Sequence, residues 1–329
     1  MKELDVRNWT TSDWVLCSYR LRLRKPIAAR GATANIRRGL LVIKKHPWGM
    51  GFGEAAPIPG FHPIEYMQVQ EELILALQQP EKIVDCSAIT TCALEMASWQ
   101  KNPINPIFIN GLLTNSGNID PQFSCYKIKV GRASIQEELS MLSHISSLVP
   151  PNTPIRLDAN CAWNLSECLD FWHHLQQVPL TIEYIEEPLR DPTHYPHIPF
   201  PFALDERLSL YADRLHHLPQ LKALILKPSL LGFSSCIGWI KKASQHKLKA
   251  IISSTFESSI GLHSYAQLAA LQPQTYAGLG TASWFLDDLI QHKATPQTGL
   301  LFSGQQKDWI KDLQWQHLSV VAHSGIDLP

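Results

Sequence analysis

The sequence lacks an excess of charge of either sign, because 29 lysines and arginines balance 29 aspartates and glutamates over 329 residues. Nucleic acids and anionic membranes attract proteins through a surplus of positive charge. We therefore expect neither nucleic acid nor membrane as a partner. Recognition must depend on a local site, and a small molecule is the expected ligand.

Cysteine pairs and long apolar runs are also absent. The seven cysteines are scattered without a CxxC pair, which argues against a disulfide framework and a structural zinc site. The first residues, MKELDVRNWTTSDW, lack the apolar core of a signal peptide, and no run reaches the ~20 apolar residues of a membrane helix. These absences predict a cytoplasmic protein, and no oligomeric state follows from them.

Two patterns of hydrophobicity divide the chain. From Trp14 to Glu54, short β-like runs alternate with turns, and the helical pattern IEYMQVQEELILAL follows, as is typical of an α+β domain. Beyond NPINPIFINGLL, short apolar runs alternate with amphipathic segments at intervals of about 20 to 30 residues, the length of one βα unit. We predict an α/β fold: a (β/α)7β TIM-like barrel over residues 101–298 with an α+β capping domain over residues 1–100. The C-terminal segment, residues 299–329, is expected to pack back on the cap.

Most of the apolar runs in the second region end in a charged or polar residue. These residues are Lys129, Asp158, Glu186, Asp205, Lys227, Ser253 and Ser254. The C-terminal ends of barrel strands share one mouth, so these side chains should converge there. Three carboxylates in a confined site take up protons unless a cation joins them. Oxygen ligands without Cys or His favour Mg²⁺, with Mn²⁺ as the alternative.

Lysines flank the predicted carboxylate cluster. Lys129 and Lys227 lie on either side of it, and Lys127 points the same way as Lys129 because strand side chains alternate with a period of two. A nearby metal ion or ammonium disfavours a further ammonium and so makes a lysine a better base. Such a base suits removal of a proton next to a metal-held carboxylate, with the enediolate charge neutralised as it forms. The expected ligand is thus a small carboxylate.

The motifs KIKVG, RLDAN, IEEP, LDE and LKPS resemble, in order and spacing, those of the enolase superfamily. Four further stretches, GFGEAAPIPGF, INGLL, ISSTFESSIGL and GLGTASWFLDD, are similar to those of its o-succinylbenzoate synthase family. The resemblance covers nearly the whole chain. It implies a catalytic barrel whose mouth is closed by a capping-domain loop, here residues 30–38.

The resemblance implies a metal site formed by Asp158, Glu186 and Asp205. In the EEP motif the first acid, Glu186, is the implied ligand, because relatives with EQP keep only that acid. Glu187 is then a neighbour of the site. Asn160, Ser254 and Gly280 match positions that contact the metal or the substrate in the family.

The resemblance also implies different roles for the lysines. Lys129 matches the base that takes the proton next to the carboxylate and then, as an acid, assists loss of the hydroxyl. Lys227 matches an electrostatic or cation–π partner of the substrate ring. Lys127 is interpreted as a substrate-binding residue, with a supporting role as the alternative.

The implied reaction is the dehydration of 2-succinyl-6-hydroxy-2,4-cyclohexadiene-1-carboxylate to 2-succinylbenzoate, a step of menaquinone or phylloquinone biosynthesis. One alternative is an N-acylamino acid racemase or dipeptide epimerase of the same superfamily, in which Lys129 and Lys227 act as bases on opposite faces. A metal-independent Schiff-base enzyme, in which a lysine attacks a ketone, is another. A non-catalytic binding barrel is the last, and the complete charged set argues against it.

Overall fold

The computed structural model describes residues 10, 12–29, 32–102, 104–113, 119–301 and 309–324. Their main elements are an antiparallel sheet of four strands and a parallel sheet of seven strands. No helix in these ranges combines the length and the apolar character needed to cross a bilayer.

The antiparallel sheet, here called the cap sheet, has the order β13-β1-β2-β3. Its strands are β1 (Trp14–Ala29), β2 (Ala32–His46), β3 (Gly49–Ala55) and β13 (Leu318–His323). Both faces are covered, because Leu16 and Val42 pack against two helices while Val15 and Ile43 pack in a second apolar cluster on the other face. The helices are α1 (Tyr66–Gln78) and α2 (Ala88–Ser98), joined by a 3-10 helix (Pro80–Asp85).

The parallel sheet curls into a barrel. Its strands are β5 (Gly111–Leu113), β6 (Tyr126–Lys129), β7 (Pro154–Asp158), β8 (Thr181–Glu186), β9 (Phe202–Leu204), β10 (Leu221–Leu226) and β11 (Lys249–Ile252). Each pairs with its neighbour along the chain. Parallel bridges from Ala277 to Ile109 and from Gly278 to Ser253 join the two edges. The predicted fold class, a TIM-like α/β barrel with a separate cap sheet, is therefore confirmed.

Helices connect only some of the barrel strands. They are α3 (Ile135–Ser146), α4 (Leu165–Leu175), α5 (Pro228–Leu231), α6 (Phe233–Gln245) and α7 (Ser259–Ala269). After β8 and β9 the connections are 3-10 helices: Pro192–His197, Leu208–Tyr211 and Leu215–His217. The regular βα alternation predicted from the sequence is wrong at these two places. Their connections are shorter, and Pro196 within the first lacks the amide proton that an α-helix requires.

The remaining elements are short. Strand β4 (Ile107–Phe108) pairs antiparallel with β12 (Leu300–Leu301), and 3-10 helices occupy Gly280–Trp284 and Trp315–His317. Helix α8 (Trp309–Asp312) precedes β13. Because β13 pairs with β1, residues 318–323 lie in the cap sheet. The domain limits given above stay a proposal.

Glu54 joins the cap sheet to the barrel. This buried residue of β3 accepts hydrogen bonds at the start of α7 from the Ser258 amide (2.9 Å), the Ser258 hydroxyl (2.6 Å) and the Gly261 amide (3.0 Å). A carboxylate is stabilised at a helix N-terminus by free amides and by the helix dipole. The contact therefore holds the cap against the mouth of the barrel.

Candidate active site

Parallel pairing brings the charged strand ends together. Lys129 is in register with Asp158, and Asp158 with Glu186, across three adjacent strands. Asp205 follows the next strand, β9, directly. All nine residues predicted for the site line one cavity of about 240 Å³: Lys127, Lys129, Asp158, Asn160, Glu186, Asp205, Lys227, Ser254 and Gly280. The geometry brings every one of them to the same mouth, while their individual roles stay predictions.

Ammonium groups lie among the acids of this cavity. Lys127 Nζ is 2.7 and 2.8 Å from the two oxygens of Glu186 and 3.1 Å from Asp158 Oδ2. Lys227 Nζ donates directly to Asp205 Oδ2. In this structure, lysines supply positive charge beside the acids predicted to bind a metal ion.

The carboxylates nevertheless remain short of positive charge. Burial, together with the charges of Asp158 and Asp205, raises the pKa of Glu186 to about 7 against the opposing effect of Lys127. Burial likewise raises the pKa of Asp205 to about 6. Burial acts in the same direction on Asp158, but Lys127 and then Lys129 outweigh it and lower the pKa to about 2.

This donor set fits a hard divalent cation. All three predicted ligands are carboxylates on neighbouring strands, and two of them hold protons more tightly than ordinary acids do. A divalent ion would supply the missing positive charge, and oxygen donors are those preferred by Mg²⁺.

The three lysines differ in their surroundings. The Lys129 side chain is 51% exposed, and its ion pair to Asp158 Oδ2 is long, at 3.7 Å. The Lys227 side chain is 13% exposed, touches Asp205 and lies 3.8 Å from Glu206. Burial lowers the pKa of Lys227, but these carboxylates outweigh it and raise the pKa above its ordinary value. Lys127 shows the same balance, so both buried lysines are held as ammonium groups.

Glu187 has a role that the sequence did not reveal. Its carboxylate accepts hydrogen bonds from the Tyr195 hydroxyl (2.6 Å) and from the amides of Asp205 (2.6 Å) and Arg207 (2.9 Å). It also belongs to a group of acid and thiol ligand atoms, with Cys161 and Glu206, that lie within 4.8 Å of one another in the described part of the chain. Because hydrogen bonds already occupy both of its oxygens, we interpret Glu187 as the support of the turn that carries Asp205 and not as a metal ligand.

The backbone is strained where the chain turns at the mouth. Asn160 (φ 46°), Glu187 (φ 41°) and Phe256 (φ 62°) all adopt left-handed conformations without being glycine. Such conformations are retained where the surrounding structure enforces them, often at functional sites. Among these residues, Asn160 and Phe256 line the cavity themselves.

The cap contributes to the cavity differently from the prediction. Residues 30–38 were expected to form a closing loop, but from Ala32 onward they belong to strand β2, and residues 30 and 31 lie outside the described ranges. Pairing with β1 explains the strand. In the described ranges, the cap residues that line the cavity are Ile58 and Phe61, which follow β3. The sequence signal of their stretch, PIPGF, is its resemblance to the family.

Arg37, within the predicted closing loop of residues 30–38, connects the cap to the β11 loop that lines the cavity. It is buried and donates to the carbonyls of Ala56, Pro57 (3.1 Å), Thr255 (3.1 Å) and Phe256 (2.8 Å). Four carbonyls from two loops are thus held by one guanidinium group.

Several cavity residues were not predicted as site residues. Besides Ile58 and Phe61 they are Asn110, Leu112, Arg132, Glu206, Thr255, Phe256, Gly278 and Thr281, whereas Ser253 lines the cavity as a predicted polar strand end. All of them except Arg132 lie within stretches that resemble the family: GFGEAAPIPGF, INGLL, LDE, ISSTFESSIGL and GLGTASWFLDD. Arg132 directly follows the motif KIKVG, and the sequence does not indicate which residues of these stretches face the cavity.

Comparison with known proteins gives a consistent result. A family described as "Enolase C-terminal domain-like" matches residues 115–303. The o-succinylbenzoate synthase of Pasteurella multocida is 27% identical over 313 residues, covering 81% of this chain and 88% of that protein. The chloroplastic protein PHYLLO of Arabidopsis thaliana is 28% identical over 235 residues, covering 62% of this chain and 13% of that protein.

Solved structures with the same fold include an o-succinylbenzoate synthase and an epimerase. The synthase, from Thermosynechococcus elongatus BP-1 with magnesium in its active site, has a TM-score of 0.67 at 21% identity, covering 88% of this chain and 96% of that one. The L-Ala-D/L-Glu epimerase of Bacillus subtilis has a TM-score of 0.74 at 17% identity, covering 88% and 95%. At these identities the similarity concerns the fold alone.

Proposed function

The chain belongs to the enolase C-terminal domain-like family, and we propose that it is an o-succinylbenzoate synthase. It would dehydrate 2-succinyl-6-hydroxy-2,4-cyclohexadiene-1-carboxylate to 2-succinylbenzoate, in the cytoplasm, as a step of menaquinone or phylloquinone biosynthesis. Relatives of that name that match along most of their length support the proposal. The observation that carries it is the unequal environment of Lys129 and Lys227.

A dehydration with one acid–base group needs one lysine that exchanges its proton, whereas a two-base racemisation needs two. Lys227 is buried between the carboxylates of Asp205 and Glu206, which hold it in place as an ammonium group. Lys129 is half exposed and has only a long ion pair to Asp158, so no close carboxylate holds its amine away from a proton of the substrate. This asymmetry favours dehydration over racemisation.

The metal ion in this proposal is Mg²⁺, with Mn²⁺ as the alternative. Asp158, Glu186 and Asp205 would hold it. When bound, the ion supplies positive charge that offsets the negative charge growing on the substrate carboxylate. Lys127 remains tied to Glu186 and Asp158 and keeps these two acids in place.

The side chains then divide the reaction between them. Lys129 takes the proton from the ring carbon next to the carboxylate and returns it to the departing hydroxyl. The carbon–oxygen bond breaks, water leaves and the ring becomes aromatic. The ammonium group of Lys227 faces the ring as a cation and stabilises the negative charge that develops there. Ile58 and Phe61 form an apolar wall on the cap side of the cavity.

The test is conversion of the cyclohexadiene acid, followed by ultraviolet absorbance, with Mg²⁺ and with EDTA. Lys227→Arg and Lys227→Met form a matched pair, since arginine keeps the positive charge but is a very poor base. We expect aromatic product with Mg²⁺, loss of activity with EDTA, and clearly more activity in Lys227→Arg than in Lys227→Met. Epimerisation of dipeptides or N-acylamino acids without formation of 2-succinylbenzoate would overturn the proposal.

A further inference from the structure

The cap side of the cavity is formed by a short turn, residues 58–62, that follows strand β3. The amides of Phe61 (3.1 Å) and His62 (3.0 Å) both donate to the carbonyl of Ile58, which makes the turn compact. Ile58 and Phe61 line the cavity, and the Phe61 ring centroid lies 5.4 Å from Lys227 Nζ. The turn therefore places the Phe61 ring next to the ammonium group of Lys227.

His62 closes the turn through a series of four hydrogen bonds, in which each group donates to the next. The Ile58 amide donates to His62 Nδ1 (3.0 Å), so in the neutral ring the proton is on Nε2, which donates to Ser229 Oγ (3.1 Å). Thr255 donates to Glu257 Oε1, so the Ser229 hydroxyl donates to Thr255 Oγ1 (2.7 Å). All four side chains are buried, with exposures of 5% or less. A buried chain with every donor used specifies one arrangement of its members.

This series of hydrogen bonds reaches two segments of the barrel next to the site. Ser229 lies in α5, whose N-terminal cap is Lys227 itself. Thr255 lies in the loop after β11 and lines the cavity. Arg37 binds the preceding cap residues, Ala56 and Pro57, to the same β11 loop. The cap turn is thus fixed at both ends against the loops next to Lys227.

We propose that His62 is a positioning residue that locks the turn of residues 58–61 over the mouth and places Phe61 against Lys227. This proposal rests on the proposed function, in which the substrate ring binds beside Lys227. With the lock in place, the ring is received by a fixed apolar wall. Without it, Ile58 and Ser229 lose their partner, and Phe61 no longer has a fixed position.

The test compares KM and kcat for His62→Ala, Phe61→Ala and the double variant. We expect each single variant to raise KM about tenfold with kcat within about threefold, since both remove binding of the ring and neither removes an acid–base group. In the double variant, the second substitution should add less than about twofold, because contacting residues that act together are not additive. Independent effects that multiply to about a hundredfold would overturn the proposal.

Two further variants separate positioning from a general loss of stability. His62→Gln places an amide donor near the position of Nε2 and should return KM to within about threefold of the wild type. His46→Ala is the matched control, because His46 is a cap histidine that bonds the Ala97 carbonyl (2.9 Å) away from the cavity. It should lower Tm and leave KM unchanged. If His62→Ala lowers Tm and leaves KM unchanged as well, the residue is merely structural and the proposal fails.

The failure of the lock and the failure of the proposed function are distinguishable. If wild-type protein epimerises a dipeptide instead of dehydrating the cyclohexadiene acid, the proposed function fails, and the same variants are compared through KM for the dipeptide. Should His62→Ala not fold, Ser229→Ala interrupts the same chain at a smaller side chain. It should raise KM in the same direction, and an unchanged KM in Ser229→Ala would count against the lock.

Discussion

Lys127 provides the sharpest test of the electrostatics at the mouth. Its ammonium group lies 2.7 Å from Glu186 and 3.1 Å from Asp158, and the side chain is 17% exposed. Lys127→Met keeps most of the stem and removes the charge. Removing one partner of a buried ion pair costs about 3–5 kcal/mol, because the other partner stays buried without compensation. In metal-free protein we therefore expect the free energy of unfolding to fall by about 3 kcal/mol at pH 8.

The cost should depend on pH with a defined sign. Glu186 has its pKa raised from 4.5 to about 7, so the native state keeps a proton that the unfolded state releases, and this residue lowers stability as pH rises through that interval. Asp158, with its pKa lowered from 3.8 to about 2, contributes stability above pH 3.8 that is lost as pH falls through about 2. Lys127 lowers both pKa values, so without it both rise. Lys127→Met should therefore cost more at pH 8 than at pH 5.

The assay is urea unfolding in EDTA at both pH values. Lys249→Met is the control, because the Lys249 ammonium is 2.5 Å from Glu183 but its side chain is 50% exposed. Exposed pairs contribute up to about 1 kcal/mol, so the control should change little. A Lys127→Met protein within about 1 kcal/mol of wild type at pH 8, or one destabilised more at pH 5, would show that Lys127 does not stabilise the buried carboxylates.

Three other substitutions test the supports of the site. Tyr195→Phe removes the buried hydroxyl that donates to Glu187 (2.6 Å) and should lower the free energy of unfolding by about 1.5–3 kcal/mol. An unchanged urea midpoint would contradict the role of Glu187 as the support of the turn that carries Asp205. Gly131→Ala should lower Tm, because this residue has φ +75° and an added Cβ would lie 2.3 Å from the Cβ of Ala162; a Tm equal to that of the wild type in a thermal melt would show that the turn after Lys129 adapts. Glu54→Gln should lower the free energy of unfolding by about 1–3 kcal/mol, since an amide replaces one acceptor oxygen at the start of α7. Equal free energies of unfolding of variant and wild type in urea would rule out Glu54 as the contact that holds the cap to the barrel.

The strand ends could be predicted from the sequence because their signal is local. An apolar run that closes on a charged residue marks the end of a buried strand, and the parallel register then carries Lys129, Asp158 and Glu186 to one mouth without further information. The same runs predicted the barrel and the cap as separate sheets. The connection after β8 is shorter than those of the βα units before it and holds a 3-10 helix. The prediction of a regular barrel does not take this shorter spacing into account.

The supports of the site could not be predicted, because they depend on contacts between distant parts of the chain. Arg37 reaches Phe256 over 219 positions, and His62 reaches Ser229 over 167. Neither residue stands in a pattern that marks it locally. The EEP motif indicates only that Glu187 neighbours the site, whereas in the structure its carboxylate accepts a hydrogen bond from the Asp205 amide. The roles of the individual lysines and metal ligands stay predictions.

The proposed role of Lys129 is tested most directly by the rate at which Lys129→Ala converts the cyclohexadiene acid in the presence of Mg²⁺, compared with wild type. A positioned acid–base group contributes on the order of 10²–10⁴-fold, so the variant should lose at least about a hundredfold in kcat while it binds 2-succinylbenzoate as wild type does. If Lys129→Ala keeps its kcat within about threefold of wild type, Lys129 is not the base and the proposed mechanism is wrong.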